Sequence, residues 1–205
     1  CEGISQAPED ACEGTTEICC TKIFATGPEQ KNTFTLTRGD EAFVSQHIGD
    51  MENVETYDAW LATKARYEQL FAITPTVIAC DLHPEYLTSK YAAEQDILTI
   101  GIQHHHAHVA SILGEYGLEG PLCGIAFDGT GYGADGALWG GETLLVNRSA
   151  FERFAQFSYM PMPGGAAAIK HPTRMAYGVL WGCDLLEHPG AAGVLEALGA
   201  EAAIC

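Results

Sequence analysis

Positive charge is scarce in this 205-residue chain. Ten Lys and Arg stand against 27 Asp and Glu, for a net charge of −17. Binding to nucleic acid depends on Lys and Arg neutralising phosphates, so nucleic acid is not expected as a partner. The same deficit argues against docking on an anionic membrane surface, and the acidity itself reads first as a device for solubility. No apolar run approaches the roughly 20 residues that a membrane-spanning helix needs. No charged segment precedes an apolar one at the start, so no signal peptide is visible and a cytoplasmic location is expected. The sequence opens on Cys1 rather than Met and reads as a piece of a longer polypeptide. None of the eight cysteines forms a C-x-x-C pair, the spacing of zinc and thioredoxin-like centres. There is also no internal repeat of solenoid length.

A globular composition remains, 47% hydrophobic and 18% charged, enough for a packed core. Residues 1–21 are acidic and aperiodic and read as an irregular arm. Its Cys1, Cys12, Cys19 and Cys20 suit disulfides or an incomplete metal module. Cys80, Cys123 and Cys183 fall in apolar stretches and are expected to act as small buried hydrophobes.

Alternation of apolar and polar residues predicts strands in "TKIFATG" (21–27) and "NTFTLTRG" (32–39), joined as a hairpin by "PEQK". "EAFVSQHIGD" (41–50) reads as a third strand. "NVETYDAWLATKARYEQLFAI" (53–73) places Val54, Tyr57, Leu61, Tyr67, Leu70 and Phe71 at helical spacing. After Pro75 come a buried strand "TVIACDL" and a helix "HPEYLTSKYAAEQ", with Pro84 near its first turn. The strand "ILTIGIQ" and a helix through "HHAHVASILGEYG" follow. "LCGIAFDGTGYGADGALWGGETLLV" reads as two strands joined by a Gly-rich loop. "PMPGGAAAIKHP" reads as an irregular loop, "TRMAYGVLWGC" as a helix, and the rest as a Gly/Ala-rich tail. Strands alternating with helices after a β-hairpin predict an α/β fold with a mixed sheet.

Four histidines occupy five positions in "QHHHAHVAS". On a helix, residues four apart share a face. His104 and His108 have that spacing, and two imidazoles so placed can both reach one borderline metal such as zinc or iron. The alternative is a helix N-terminus whose histidines have no joint role. The H-E-x-x-H protease pattern is excluded, because His105 stands where Glu is required. Asp128 ends an apolar strand and is followed by Gly129, Thr130, Gly131 and Gly133. Such a run can cradle an anion through backbone N–H groups, although it is more often a plain hairpin. No Gly-Lys-Ser/Thr follows it, so it is not a P-loop. His104, His108 and Asp128 are thus three plausible metal ligands at strand ends.

Together "KNTFTLTRGDEAFVSQHIGDMENVET", "CDLHPEYLTSKYA", "QHHHAHVAS" and "AFDGTGYGADGALWGGE" resemble the carbamoyltransferase domain of the hydrogenase maturation carbamoyltransferases. That domain is related to tRNA threonylcarbamoyltransferases and antibiotic O-carbamoyltransferases. "PMPGGAAAIKHPTRMA" resembles a further segment of these enzymes. The resemblance implies an actin-like ATPase (RNase H-like) lobe over 22–182 and a truncated tail over 183–205. It implies an enzyme that uses carbamoyl phosphate and ATP, through carbamoyl-adenylate. The acceptor would be the C-terminal cysteine of a partner protein in nickel–iron hydrogenase maturation. It implies iron or zinc on His104, His108 and Asp128, nucleotide phosphates beside Gly129, Thr130, Gly131 and Gly133, and Lys31 and Asn32 on the carbamoyl-adenylate side. The remaining domains of the full-length enzyme would be further partners, and the isolated chain is expected to be inactive. The sequence departs from the family in "TGPEQKN", where Gly-Gly usually precedes Lys-Asn, and at His171, where Glu is common. A non-catalytic metal- or nucleotide-binding fragment is the alternative. A tRNA-modifying relative is disfavoured by the −17 charge.

Overall fold

The computed structural model describes residues 21–200, with the side chains of Thr130 and Ala166 left aside. The Cys-rich arm with Cys1, Cys12, Cys19 and Cys20, and Cys205 at the end, lie outside the described residues. The chain divides into two compact units, Cys1–His104 and His105–Cys205. Their boundary falls inside the 22–182 range that the sequence suggests as one lobe.

The first unit is built on a five-stranded sheet of order β3-β2-β1-β4-β5. β1 (Ile23–Ala25), β2 (Thr35–Arg38) and β3 (Glu41–Val44) form the expected antiparallel start. The helix α1 (Val54–Phe71) then returns the chain, so β4 (Val77–Asp81) pairs parallel to β1. After α2 (Leu87–Ala93), β5 (Leu98–Ile102) pairs parallel to β4, completing the mixed sheet. α1 starts where Asn53 Oδ1 accepts the Thr56 N–H at 2.8 Å, and ends at Ala72 in left-handed geometry.

Phe24, Phe34, Leu36, Met51, Trp60, Ile73 and Ile78 make the core of this unit. Phe24, Phe34 and Trp60 meet edge-on or tilted at 5.5–6.4 Å, the arrangement aromatic quadrupoles favour. Trp60 reaches polar satisfaction by donating to the Thr26 carbonyl at 3.3 Å. α2 is shorter than its sequence pattern. His83 and Pro84 lie ahead of it in a turn that Asp81 Oδ1 holds by accepting the His83 N–H at 2.8 Å.

The second unit holds a three-stranded antiparallel sheet, β6 (Leu122–Tyr132), β7 (Leu138–Val146) and β8 (Phe151–Gln156). α3 (His104–Glu115) opens on the last residue of the first unit. Val109 and Leu113 on α3 pack with Trp139, Leu144 and Val146 of β7. Gly124 permits this, because a Cβ there would collide with the Val109 side chain. α4 (Ala166–Lys170), α5 (Pro172–Gly182) and α6 (Ala192–Leu198) follow.

Several expectations are corrected. β6 runs through Gly129 and Gly131 to Tyr132, and the turn to β7 lies at 133–137. "PMPGGAAAIKHP" contains α4, and the tail contains a 3-10 turn at Pro189–Ala191 and α6. β8 goes unanticipated, because "FERFAQ" sets the charged Glu152 and Arg153 side by side and so lacks the apolar–polar alternation that marks a strand. Cys123 and Cys183 are exposed and Cys80 is half-buried. Cys123 sits on β6 out of phase with Gly124, so it faces away from α3. Among the described residues no helix is long and apolar enough to cross a membrane.

Two expected outcomes test this packing. Gly27 has φ +77°, and an added Cβ would collide with the Thr33 carbonyl oxygen. Gly27→Ala should therefore cost at least about 1–3 kcal/mol in urea unfolding. In the second unit the Glu142 carboxylate, 2% exposed, accepts two hydrogen bonds from Arg153 at 2.6 and 2.9 Å. Arg153 also lies 3.9 Å over the Trp139 ring. Removing one member strands a buried charge, so Arg153→Met should lose about 3–5 kcal/mol. The double variant with Glu142→Gln should recover part of that loss.

Candidate metal centre

The site begins where β5 ends. Ile102 is the last residue of β5 and His104 the first of α3, with only Gln103 between them. One helical turn later comes His108. His105 and His106, between them, turn to the core of the second unit. His105 is fully buried with its ring 6.2 Å from Trp139, and His106 Nε2 lies 3.1 Å from the Asn147 carbonyl oxygen. The run of four histidines therefore splits by helical phase into a packing pair and a pair left for chemistry.

Asp128 is delivered by a break in the β6–β7 ladder. Phe127 pairs with Gly141 and Gly131 with Trp139, so three residues of β6 face Gly140 alone. Bulges re-aim side chains in this way. His108 Nε2 lies 3.4 Å from Asp128 Oδ2, and Asp128 Oδ1 accepts the Gly129 N–H at 2.6 Å. His104, His108 and Asp128 each offer one ligand atom, all within 4.8 Å of one another. Two imidazoles and a carboxylate form a donor set that suits zinc or iron(II) and leaves coordination positions for another ligand. The three residues read from sequence as ligands thus come together.

Asp81 was not among the residues read from sequence as part of the site. It ends β4, and its Oδ2 lies 2.7 Å from His104 Nδ1. Its side chain is only 8% exposed. "CDLHP" contains it, but nothing in the spacing ties a residue 23 positions upstream to His104. The neighbouring Cys80 thiol is pushed up first by burial and then by the Asp81 charge, so it stays protonated and is a poor ligand or nucleophile.

The glycines of "DGTGYGADG" have separate reasons. Gly133 is required by packing, since a Cβ there would collide with the Trp139 indole nitrogen. Gly136, at φ +78°, makes the turn. Gly131 is an ordinary paired position of β6. Gly129 faces open space, and with Asp128 it borders a cleft of about 500 Å³ that Phe127, Trp139, Tyr159 and Met160 also line. Thr130 lies in the bulge, and its side chain is outside the described residues. Arg153 contacts Trp139, Glu142 and Tyr159, which line this cleft. The Glu142 carboxylate beside it keeps the guanidinium above even its usual high range, and Asp135 lies 3.4 Å away.

Lys31 and Asn32 lie in the turn between β1 and β2. Lys31 has φ +51°, and its N–H donates to Asp50 Oδ1 at 2.7 Å. Asn32 is fully buried and donates to the Thr26 and Pro28 carbonyls at 3.1 and 2.6 Å. It clasps the turn that holds the exposed Lys31. Glu29 joins the same turn to α2 by accepting the Leu87 N–H at 2.9 Å. Burial lifts its carboxyl above the usual range, and that hydrogen bond partly offsets the rise.

Comparison with known proteins gives a consistent result. Residues 19–115 match the HypF Kae1-like domain family, and residues 124–202 match the second subdomain of the carbamoyltransferase Kae1-like domain. The chain is 44% identical over 162 residues to carbamoyltransferase HypF2 of Cupriavidus necator, covering 77% of this chain and 20% of that protein. It is 39% identical over 161 residues to carbamoyltransferase HypF of Synechocystis, covering 78% and 21%. The solved structure of full-length HypF in a phosphate- and nucleotide-bound form superposes with TM-score 0.77 at 39% identity, covering 86% of this chain and 24% of that one. HypF of T. kodakarensis superposes with TM-score 0.75 at 36% identity, covering 82% and 23%. The chain thus spans about a fifth to a quarter of the length of these relatives. With both family models matched in order along the chain and the fold shared at 36–39% identity, the chain belongs to the HypF Kae1-like domain family.

Proposed function

We propose that this chain carries the metal-side chemistry of a carbamoyltransferase that serves nickel–iron hydrogenase maturation. The carrying observation is the convergence of His104, His108 and Asp128 within 4.8 Å. The two imidazoles and the carboxylate would hold iron or zinc. When bound, such an ion supplies Lewis acidity and a template for carbamoyl and phosphate oxygens.

The substrates in this reading are carbamoyl phosphate and ATP, joined through carbamoyl-adenylate. In the transfer step the sulfur of the partner's C-terminal cysteine forms a bond to the carbamoyl carbon. The bond from that carbon to the AMP phosphate oxygen breaks, AMP leaves with the electron pair, and the thiol proton passes to solvent. Around this step the chain's own residues bind and orient. The bulge at Asp128–Thr130 and the cleft beside Gly129 offer room for a nucleotide. Gly131 and Gly133 support that bulge through the β6–β7 pairing and the Trp139 packing. Lys31 would supply positive charge on the carbamoyl-adenylate side, held there by Asn32. The other domains of the longer relatives would generate the adenylate and present the acceptor.

Two measurements test this reading. Elemental analysis of the purified chain should give about one equivalent of iron or zinc, and His104→Ala with His108→Ala should remove it. Unchanged metal content in the double variant would defeat the assignment. In a polypeptide of full HypF length carrying this segment, the same substitutions should abolish carbamoylation of the acceptor cysteine. The isolated 205-residue chain should transfer no carbamoyl group. Metal and ATP binding without transfer in the full-length protein would support a non-catalytic binding role instead.

A further inference from the structure

We propose that Asp81 is the positioning residue of the metal centre, setting which nitrogen of His104 carries the proton. The inference rests on the metal reading above. Asp81 ends β4 and pairs across the parallel ladder with Ile102, two residues before His104. The carboxylate and the imidazole are therefore neighbours at the carboxyl ends of adjacent parallel strands, where sites in such sheets form. Asp81 Oδ2 lies 2.7 Å from His104 Nδ1. An ionised carboxylate only accepts, so the Nδ1 position carries the proton. The lone pair of His104 is then on Nε2, the nitrogen turned away from Asp81. Buried carboxylates of this kind orient metal-binding histidines and raise their basicity.

The other oxygen of Asp81 is already committed. Oδ1 accepts the His83 N–H at 2.8 Å. Asp81 thus serves two donors with two acceptors, in a setting where it is 8% exposed. Asparagine puts an acceptor oxygen at only one of these two positions and an NH2 donor at the other, so it cannot serve both donors where they stand. The His83 amide cannot reverse its role, whereas the imidazole can move its proton from Nδ1 to Nε2. Asp81→Asn should take that route, placing a proton on the nitrogen needed for the metal. Ser89 is not part of this device, since its hydroxyl donates to the Asp81 backbone carbonyl rather than to the carboxylate.

The test uses zinc as probe and the 205-residue chain. Zinc affinity is measured by competition with a chromophoric chelator, and the protonated ring nitrogen of His104 by long-range 1H–15N correlation on the metal-free protein. The unmodified chain should show His104 protonated at Nδ1. Asp81→Asn should move the proton to Nε2 and weaken zinc binding by about 10- to 100-fold, with a metal-free melting temperature near that of the parent. Asp81→Glu, which keeps two acceptors, should retain the Nδ1 proton. Zinc affinity within about twofold of the parent in Asp81→Asn overturns the proposal, where a tenfold loss is the least that such partners give. A loss of affinity with the proton still at Nδ1 overturns it as well. If Asp81→Asn does not fold, an Nε2-protonated His104 in the unmodified chain is sufficient to overturn it. Zinc binding that survives His104→Ala and His108→Ala would instead sink the metal reading itself, so the two failures are distinguishable.

Discussion

The parallel pairing of β4 with β5 is the constraint on which the site depends. It runs in register from Val77↔Leu98 to Asp81↔Ile102 and stops there. The chain leaves β5 and enters α3 after one residue, so the first helical histidine stands beside the last carboxylate of β4. A shift of that register by one residue would turn Asp81 to the opposite face of the sheet. The core of Phe24, Phe34, Trp60 and Ile78 resists such a shift, because Ile78 would leave it at the same moment. Packing far from the histidines therefore fixes one partner of the candidate metal centre.

The second unit places Asp128 by a different device. Its sheet holds Asp128 not at a regular ladder position but in the break between Phe127 and Gly131. The position of that break depends on what lies beneath it. Trp139 is packed among Val109, Leu113, Leu144 and Val146, and it is stacked under Arg153, which Glu142 holds in turn. The absence of a side chain at Gly124 lets Val109 approach β6, and His108 is the next residue on the helix. The 3.4 Å approach of His108 to Asp128 thus follows from apolar packing within the second unit, with one buried ion pair as its polar edge.

The glycine-rich stretch shows how one composition serves several causes. From sequence it reads as a single Gly-rich loop joining two strands. In the fold Gly133 answers to the Trp139 indole, Gly136 to a left-handed turn, and Gly131 to strand pairing, while Gly129 borders open space. The histidine run behaves likewise: His105 and His106 fill the core, and His104 and His108 are left for a ligand.

The sequence by itself determined what local periodicity encodes. The hairpin start, the long α1, the alternation of strand and helix, and the one-turn spacing of His104 and His108 all follow from apolar spacing and helical pitch. The candidate ligands could be read because His104 follows an apolar strand, His108 lies one helical turn beyond it, and Asp128 ends another apolar segment. Only the tertiary structure decided the rest. That β6 continues past Asp128 as a broken strand depends on its partner β7, not on its own residues. That β8 exists depends on β7 offering an edge to a segment without strand-like alternation. That Asp81 meets His104, 23 positions away, depends on a ladder register set by a core elsewhere in the unit. Spacing along one helix is fixed by the backbone itself, whereas a contact between strand ends exists only once the sheet has chosen its pairing.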